Sequence, residues 1–325
     1  MPYSAVLISG ATGFVGGHFL RRLGDEIPQL SVYVGQRQSA HADTKLGGGT
    51  HPVSLDLSSQ VNLQLSVDIV FHIAGEKRDE GLMWEVNFEG TRRLLEWSAA
   101  HGVRRFVYLS SVGVYGARKN AGLVEAGAPK HPQNVYESSK SAAEDLVREK
   151  CGEYGMEYVI LQPSNVIGWV EGKAYPLLGL MRMIKRGWFT CFGSQDTCFN
   201  YVAVEDVASA LVAATAPGAA NRAFIINSPV SMRQFVGWIA QELGVVPPAR
   251  CLPAMFGRAA AVLAEALSGV TGKSIPFGRE RFDELTNTTR YDGSPACDVL
   301  GNVYALGIES AVRQLVRRYR KEGLL

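Results

Sequence analysis

Seven residues near the N-terminus constrain this chain more than any others: Gly10-Ala11-Thr12-Gly13-Phe14-Val15-Gly16, directly after the apolar run Ala5 to Ser9. The order reads as strand, tight turn, helix. Gly10 and Gly13 lack a Cβ, so the turn can take dihedrals closed to other residues and its backbone can approach a pyrophosphate. Gly16 lets the new helix lie tight on the strand. The helix N-terminus would then offer free N–H groups and the positive end of its dipole to the phosphates. Gly-rich turns without a ligand show similar trios, and what separates the two readings is the place directly after the first strand.

Downstream, the strand-like runs Ser31–Gly35, Val67–Ile73, Arg105–Ser110, Glu157–Gln162 and Phe224–Asn227 each follow a helix-like segment or a connecting loop. Trp84–Ala100, Val135–Tyr154 and Val204–Ala214 carry apolar residues at helical spacing between them. The alternation predicts an α/β protein whose parallel sheet is covered on both faces. After Pro163 it loosens into loops and helices rich in Gly and Pro. We expect a nucleotide-binding domain over residues 1–165, with a return segment at 199–229, and a smaller, discontinuous substrate-side lobe over 166–325.

Charge names no partner. The chain holds 33 Lys and Arg against 31 Asp and Glu, with no like-charged block to suggest nucleic-acid binding. Cys151, Cys191, Cys198, Cys251 and Cys297 include no Cys-x-x-Cys pair, so no metal centre is expected and they read as reduced thiols of a cytoplasmic protein. The first strand begins so early that no room for a signal peptide is expected. No apolar run reaches the roughly 18 residues needed to span a bilayer. The apolar stretch Ala254 to Val270, interrupted by Gly257, Arg258 and Glu265, is expected to be a buried packing helix; attachment to a membrane surface is the alternative.

Two segments carry chemistry. Tyr136-Glu137-Ser138-Ser139-Lys140 places a phenol and an ammonium four residues apart, on one helical face. A neighbouring cation stabilises a phenolate, which would bring the phenol's pKa closer to neutrality. A solvated helix face produces the same spacing by chance. Tyr108-Leu109-Ser110-Ser111 ends an apolar strand in two hydroxyls, where Ser111 could hydrogen-bond a carbonyl oxygen while Tyr136 donates the proton; a Ser pair opening a turn is the plainer reading.

Taken together, Gly10-x-x-Gly13-x-x-Gly16, His72-Ile73-Ala74-Gly75, Asn87-x-x-Gly90-Thr91, Ser110-Ser111-x-x-Val114-Tyr115-Gly116, Tyr136-x-x-x-Lys140, Gln162-Pro163-x-Asn165-Val166-x-Gly168 and Tyr201-Val202-x-Val204-Glu205-Asp206-Val207-Ala208 resemble the extended short-chain dehydrogenase/reductase family. The resemblance implies a Rossmann-type, doubly wound parallel sheet that binds a nicotinamide dinucleotide. It implies Ser111, Tyr136 and Lys140 as catalytic residues: Tyr136 the acid/base, Ser111 the carbonyl's hydrogen-bond donor, Lys140 the group that holds the nicotinamide ribose and lowers the Tyr136 pKa. It assigns cofactor contacts to Gly10, Thr12, Gly13, Phe14, Val15, Gly16, Asp56, Leu57, Ala74, Tyr136, Lys140 and Pro163. Asp56 reads equally as a turn or cap residue. His72 reads as a packed core histidine and Asn87 as a tie between its helix and the sheet. Many members of that family dimerise through the helices that correspond to Asn87–Ala100 and Tyr136–Tyr154, so a homodimer is expected.

Arg37, in Val34-Gly35-Gln36-Arg37, stands where an acid would favour NAD(H), so NADP(H) is favoured. Dehydratases of the family carry an acidic pair after the catalytic hydroxyl; Val112 and Gly113 stand there, and dehydration is not expected. Family epimerases often hold the substrate diphosphate with an Arg at the place of Phe199-Asn200, which lacks a cation; Arg182, Lys185, Arg186, Arg222 and Arg279 are the other candidates. The reaction expected is ketone–alcohol interconversion on the hexose of a sugar nucleotide, by 4-keto reduction or 4-epimerisation. The alternatives are a hydroxysteroid- or dihydroflavonol-type carbonyl reductase and a non-catalytic dinucleotide sensor.

Overall fold

A computed structural model describes residues 3–37, 49–116, 122–169, 177–194, 197–247, 251–271, 278, 282–283 and 286–325, with side chains up to Glu265 in the helix that ends at Thr271. Seven strands form one parallel sheet: from edge to edge Arg222–Ile226, Glu157–Pro163, Arg105–Leu109, Ile69–His72, Ala5–Ser9, Ser31–Gln36 and Thr50–Ser54. Alternation along each strand feeds two cores. Val6 and Ile8 pack into one with Phe19 and Leu23 of the helix Phe14–Glu26, whereas Leu7 packs into the other with Leu94, Leu95 and Trp97. The Rossmann-type architecture is therefore present. The strand order reverses direction between Ala5–Ser9 and Ile69–His72, and in such sheets ligands lie beyond the carboxyl ends of the strands at that switch.

Thr50–Ser54 is absent from the apolar runs read as strands, although the family resemblance implies a third strand just before Asp56. Apart from Val53, which packs against the core of Leu7, its residues lack apolar side chains that alternate, and they include Pro52, which a strand tolerates at an edge; this one pairs only with Ser31–Gln36.

A smaller sheet sets Cys198–Ala203 between Asn165–Ile167, parallel, and Ser228–Ser231, antiparallel. Phe235 and Ile239 of the helix Met232–Leu243 form a third core with Val312, Leu315, Val316 and Tyr319 of the helix Ile308–Lys321. Asp206 ties this part to the large sheet's helices: its carboxylate accepts from the backbone N–H of Leu306 and Gly307 at 3.0 and 3.1 Å. Burial outweighs those two bonds and pushes its pKa up to about 6.

Two expectations fail. Cys191 and Cys251 are not reduced thiols but a disulfide, because the parallel pairing of Cys191–Phe192 with Cys251–Leu252 sets them directly opposite, with Cα atoms 4.4 Å apart. Sixty positions separate them in sequence, and only strand pairing brings them together. Cys151, Cys198 and Cys297 are free. The helix Ala254–Thr271 is not a buried packing helix. Gly257 and Ala261 face the protein while Met255, Phe256, Val262 and Leu263 stay exposed, because the contact line is one residue wide. Among the described residues, no helix is long and apolar enough to cross a membrane.

Candidate active site

The first turn is built on close approach. Gly10 has φ of +77°, and a Cβ there would lie 2.6 Å from the Ala74 nitrogen; a Cβ on Gly16 would lie 2.1 Å from the Gly10 carbonyl oxygen. Gly13 caps the helix Phe14–Glu26 without a side-chain bond, and no acidic residue sits in the first turn to compete for its N–H groups. Beneath the turn, the Ser9 hydroxyl lies 2.7 Å from Nδ1 of His72, whose Nε2 lies 2.9 Å from the Thr91 hydroxyl. Ala74 N–H donates to Ser9 Oγ at 3.4 Å. His72 is fully buried; desolvation, then the Lys140 charge, lowers its pKa to about 3, so it is a neutral structural link at physiological pH.

The next switch-point loop is held by a break in helical pattern. The helices Glu80–Trp84 and Gly90–Ala100 are joined by a π turn, Glu85–Glu89, that carries Asn87 inward. Asn87 accepts from Glu76 N–H at 2.7 Å and donates to the Glu76 carbonyl at 2.8 Å and to Ser139 Oγ at 3.0 Å. It thus joins the loop after His72 to the helix Val135–Tyr154.

That helix starts at Asn134, whose side chain accepts from Glu137 N–H at 2.9 Å. Its first two turns carry Tyr136 and Lys140, and Lys140 reaches the end of Arg105–Leu109. Lys140 is buried; its ammonium donates to the Leu109 carbonyl at 2.7 Å and lies 4.3 Å from the centre of the Tyr108 ring. Desolvation draws its pKa down to about 7, against the opposing pull of Glu144 one turn on. Glu144 is itself buried and met by Gln162 at 2.8 Å, Lys130 at 3.2 Å and Arg148 at 3.3 Å. Tyr136 differs from expectation: burial, then Glu137, raises its pKa above that of a free phenol. The expected lowering is missing because burial of the phenol sets the direction and no Lys140 contribution offsets it. Ser111 opens a short helical turn, accepting from Gly113 N–H at 3.1 Å, which leaves its own proton available to a carbonyl.

Beyond the second strand of the sequence, Arg37 follows Ser31–Gln36 and is exposed. Asp56 accepts from the Ser58 N–H and hydroxyl at 3.0 and 2.7 Å, a turn role. Those bonds lower its pKa first, and the Arg37 charge contributes last. Leu57 is buried and accepts from Arg93 at 2.9 Å; Pro163 is buried in its strand. Of the proposed phosphate ligands, Arg182 donates to the Leu324 carbonyl at 3.1 Å and Arg222 begins its strand, at the edge of the sheet opposite the site. Arg279 lies outside the described residues.

Sequence reasoning missed three groups. Gln36 Nε2, Ser110 Oγ and Ser164 Oγ are buried and have no hydrogen-bond partner among the described residues. Each stands at, or one residue beyond, the carboxyl end of a parallel strand. Unpaired buried polar atoms are costly, so three along one edge mark where a polar ligand belongs. Together with the glycine cradle, they fit a dinucleotide. The other missed residue is Arg290, in the two-residue strand Arg290–Tyr291. Burial pushes the Cys198 thiol up, against the pull of the Arg290 guanidinium beside it. A cation therefore reaches the neighbourhood of Phe199 and Asn200 from another segment. Asn200 ties that segment down, accepting from Tyr291 N–H at 3.3 Å and donating to the Thr289 carbonyl at 2.9 Å.

The model of the NAD dependent epimerase/dehydratase family matches residues 6–227, more than half of the chain. The chain is 27% identical over 301 residues to N-acetyl-alpha-D-glucosaminyl-diphospho-ditrans,octacis-undecaprenol 4-epimerase of Escherichia coli O157:H7, covering 89% of this chain and 87% of that protein. It is 23% identical to 3beta-hydroxysteroid-dehydrogenase/decarboxylase isoform 2 of Arabidopsis thaliana, covering 95% of this chain and 61% of that protein. UDP-glucose 4-epimerase of Thermotoga maritima, solved with UDP-glucose, superposes with a TM-score of 0.71 at 20% identity, covering 98% of this chain and 99% of that one.

Proposed function

The chain belongs to the NAD dependent epimerase/dehydratase family, and from that premise we propose that it interconverts a ketone and a secondary alcohol at C4 of a hexose carried on a nucleoside diphosphate. The observation that carries this reading is Lys140 held on the Leu109 carbonyl, at the carboxyl end of the strand that runs into Ser111, with Tyr136 one helical turn away on the same helix. A bound nicotinamide supplies or accepts the hydride. Tyr136 Oη gives its proton to the carbonyl oxygen in reduction and takes it back in oxidation. Ser111 donates a hydrogen bond to the same oxygen, and Lys140, with its pKa near 7, holds an exchangeable proton one helical turn from Tyr136. Gly10, Gly13 and Gly16 admit the pyrophosphate to the helix N-terminus.

Arg37 supports NADP(H) over NAD(H), since a guanidinium binds a 2′-phosphate and has no such partner on a free ribose. Val112 and Gly113, in place of an acidic pair, support reduction or epimerisation over dehydration. Arg290 supports a diphosphate-bearing substrate, because it restores the cation that Phe199-Asn200 lacks. A thermal-shift screen of UDP-, GDP- and dTDP-hexoses with cofactor present tests the reading, since a ligand of the folded state raises its apparent stability. At least one nucleotide hexose is expected to stabilise the protein and to be turned over. Stabilisation by a steroid or flavonoid ketone and by no nucleotide sugar refutes it.

A further inference from the structure

The helix Ala254–Thr271 touches the rest of the protein along a narrow line. Gly257 sits so close to its neighbours that a Cβ would lie 2.5 Å from the Phe282 ring and 2.7 Å from the Phe192 ring, and Ala261 continues the contact one turn on. The opposite face is open. Met255 is 71% exposed and Leu263 61%, and both line a shallow apolar groove with Val262 that also holds the Arg258 side chain. Water-facing apolar side chains in a continuous stripe mark a surface that something else covers.

Charge identifies the occupant. Residues 178–193 carry three Lys and Arg and no Asp or Glu, and residues 245–271 add Arg258, Glu265 and Arg250, the last outside the described residues, so the two stretches together have four positive charges in excess. The paired strands Cys191–Phe192 and Cys251–Leu252, with their disulfide, fasten these two stretches to each other. In the first stretch Trp188 is 69% exposed with the Arg186 guanidinium 5.1 Å from its ring centre. An exposed indole beside a cation suits the level of lipid headgroups. A second copy of this chain fits poorly, because a two-fold contact through this face would set these cations against their own kind.

We propose that this face docks the protein on an anionic membrane surface. The helix Ala254–Thr271 lies in the interface plane, its apolar residues among the upper acyl chains and its cations at the lipid phosphates. The docking does not rest on the catalytic reading, and none of these residues belongs to the catalytic or cofactor-binding set.

The test is co-sedimentation of the full chain with vesicles of phosphatidylcholine, alone or with one-third phosphatidylglycerol. The wild type is expected to pellet with the anionic vesicles and to be released by high salt. Met255→Glu with Leu263→Glu, both at exposed positions, is expected to lower binding at least about tenfold and leave cofactor affinity unchanged. Arg186→Gln with Arg258→Gln keeps the apolar face and is expected to lose the preference for anionic over neutral vesicles. Three results overturn the proposal: a wild type that stays in the supernatant, a glutamate pair that binds as the wild type does, or a glutamine pair whose preference is undiminished. A wild-type dimer that the glutamate pair dissociates would assign the face to a second copy and overturn it as well.

Discussion

Replacing Lys140 by Met removes a buried ammonium and keeps the length of the side chain, so the variant reports what the charge costs the fold. Burial brings the Lys140 pKa from 10.5 to about 7, a gap worth roughly 5 kcal/mol at about 1.4 kcal/mol per pH unit. Below pH 7 the lysine is protonated in the folded and the unfolded chain alike, and the whole penalty acts. Between pH 7 and 10.5 only the unfolded chain keeps the proton, so the folded state gains stability as pH rises. From pH 6 to 9.5 that gain is about 3 kcal/mol. Methionine has nothing to titrate and leaves the Leu109 carbonyl without its donor, a constant cost of about 1–3 kcal/mol. Lys140→Met should therefore exceed the wild type in stability at pH 6 and lose that advantage by pH 9.5. The difference in Tm should change by about 4 °C between the two pH values, given the unfolding entropy of a chain this size. Scanning calorimetry of the cofactor-free protein measures it. A Tm difference that stays constant across the range would refute the argument that an ammonium is buried there.

The same variant should lose turnover, and Tyr136→Phe should lower it by at least about 10²-fold with cofactor affinity nearly intact, since only the ionisable hydroxyl is removed; near-normal rates would end the assignment of Tyr136. Arg37→Ala should weaken NADPH by about 10- to 150-fold and NADH far less, measured by fluorescence titration. Equal losses would deny Arg37 a discriminating part. Arg290→Met should raise KM for a nucleotide hexose by about tenfold or more and leave kcat within a small factor, the pattern of lost uniform binding; a fall in kcat alone would place Arg290 elsewhere.

Local pattern revealed the large sheet and the residues along its edge. Apolar runs such as Arg105–Leu109 are buried on both faces and read as strands without help from distant residues. The glycines of the first turn and the Tyr136–Lys140 spacing are likewise local, because a strand, a turn and a single helical face each fit within a few positions. What escaped detection depends on distant partners. Cys191 and Cys251 meet only through strand pairing, and Arg290 reaches Cys198 from another strand. The unpaired amide of Gln36 has meaning only once its burial is known. The helix Ala254–Thr271 misled for a related reason: its apolar composition is that of a buried helix, and no periodicity states how much of a neighbouring surface exists to cover it. Tyr136 shows the same limit in electrostatics, since four-residue spacing to a lysine does not disclose that the phenol is itself buried.

The π turn at Glu85–Glu89 has a consequence for chain length. Its closing bond runs from Gly90 N–H to the Glu85 carbonyl, so this stretch holds one residue more than an α-helical path between the same two flanks. Deleting a single residue inside it lets the bonds return to the α pattern while the turns on either side keep their faces: Met83 before it and Leu94, Leu95 and Trp97 after it stay packed. What such a deletion withdraws is the inward reach of Asn87. The helix can therefore differ by one residue between otherwise superimposable chains, and the shorter version would be a folded protein whose loop at Glu76 has lost its anchor.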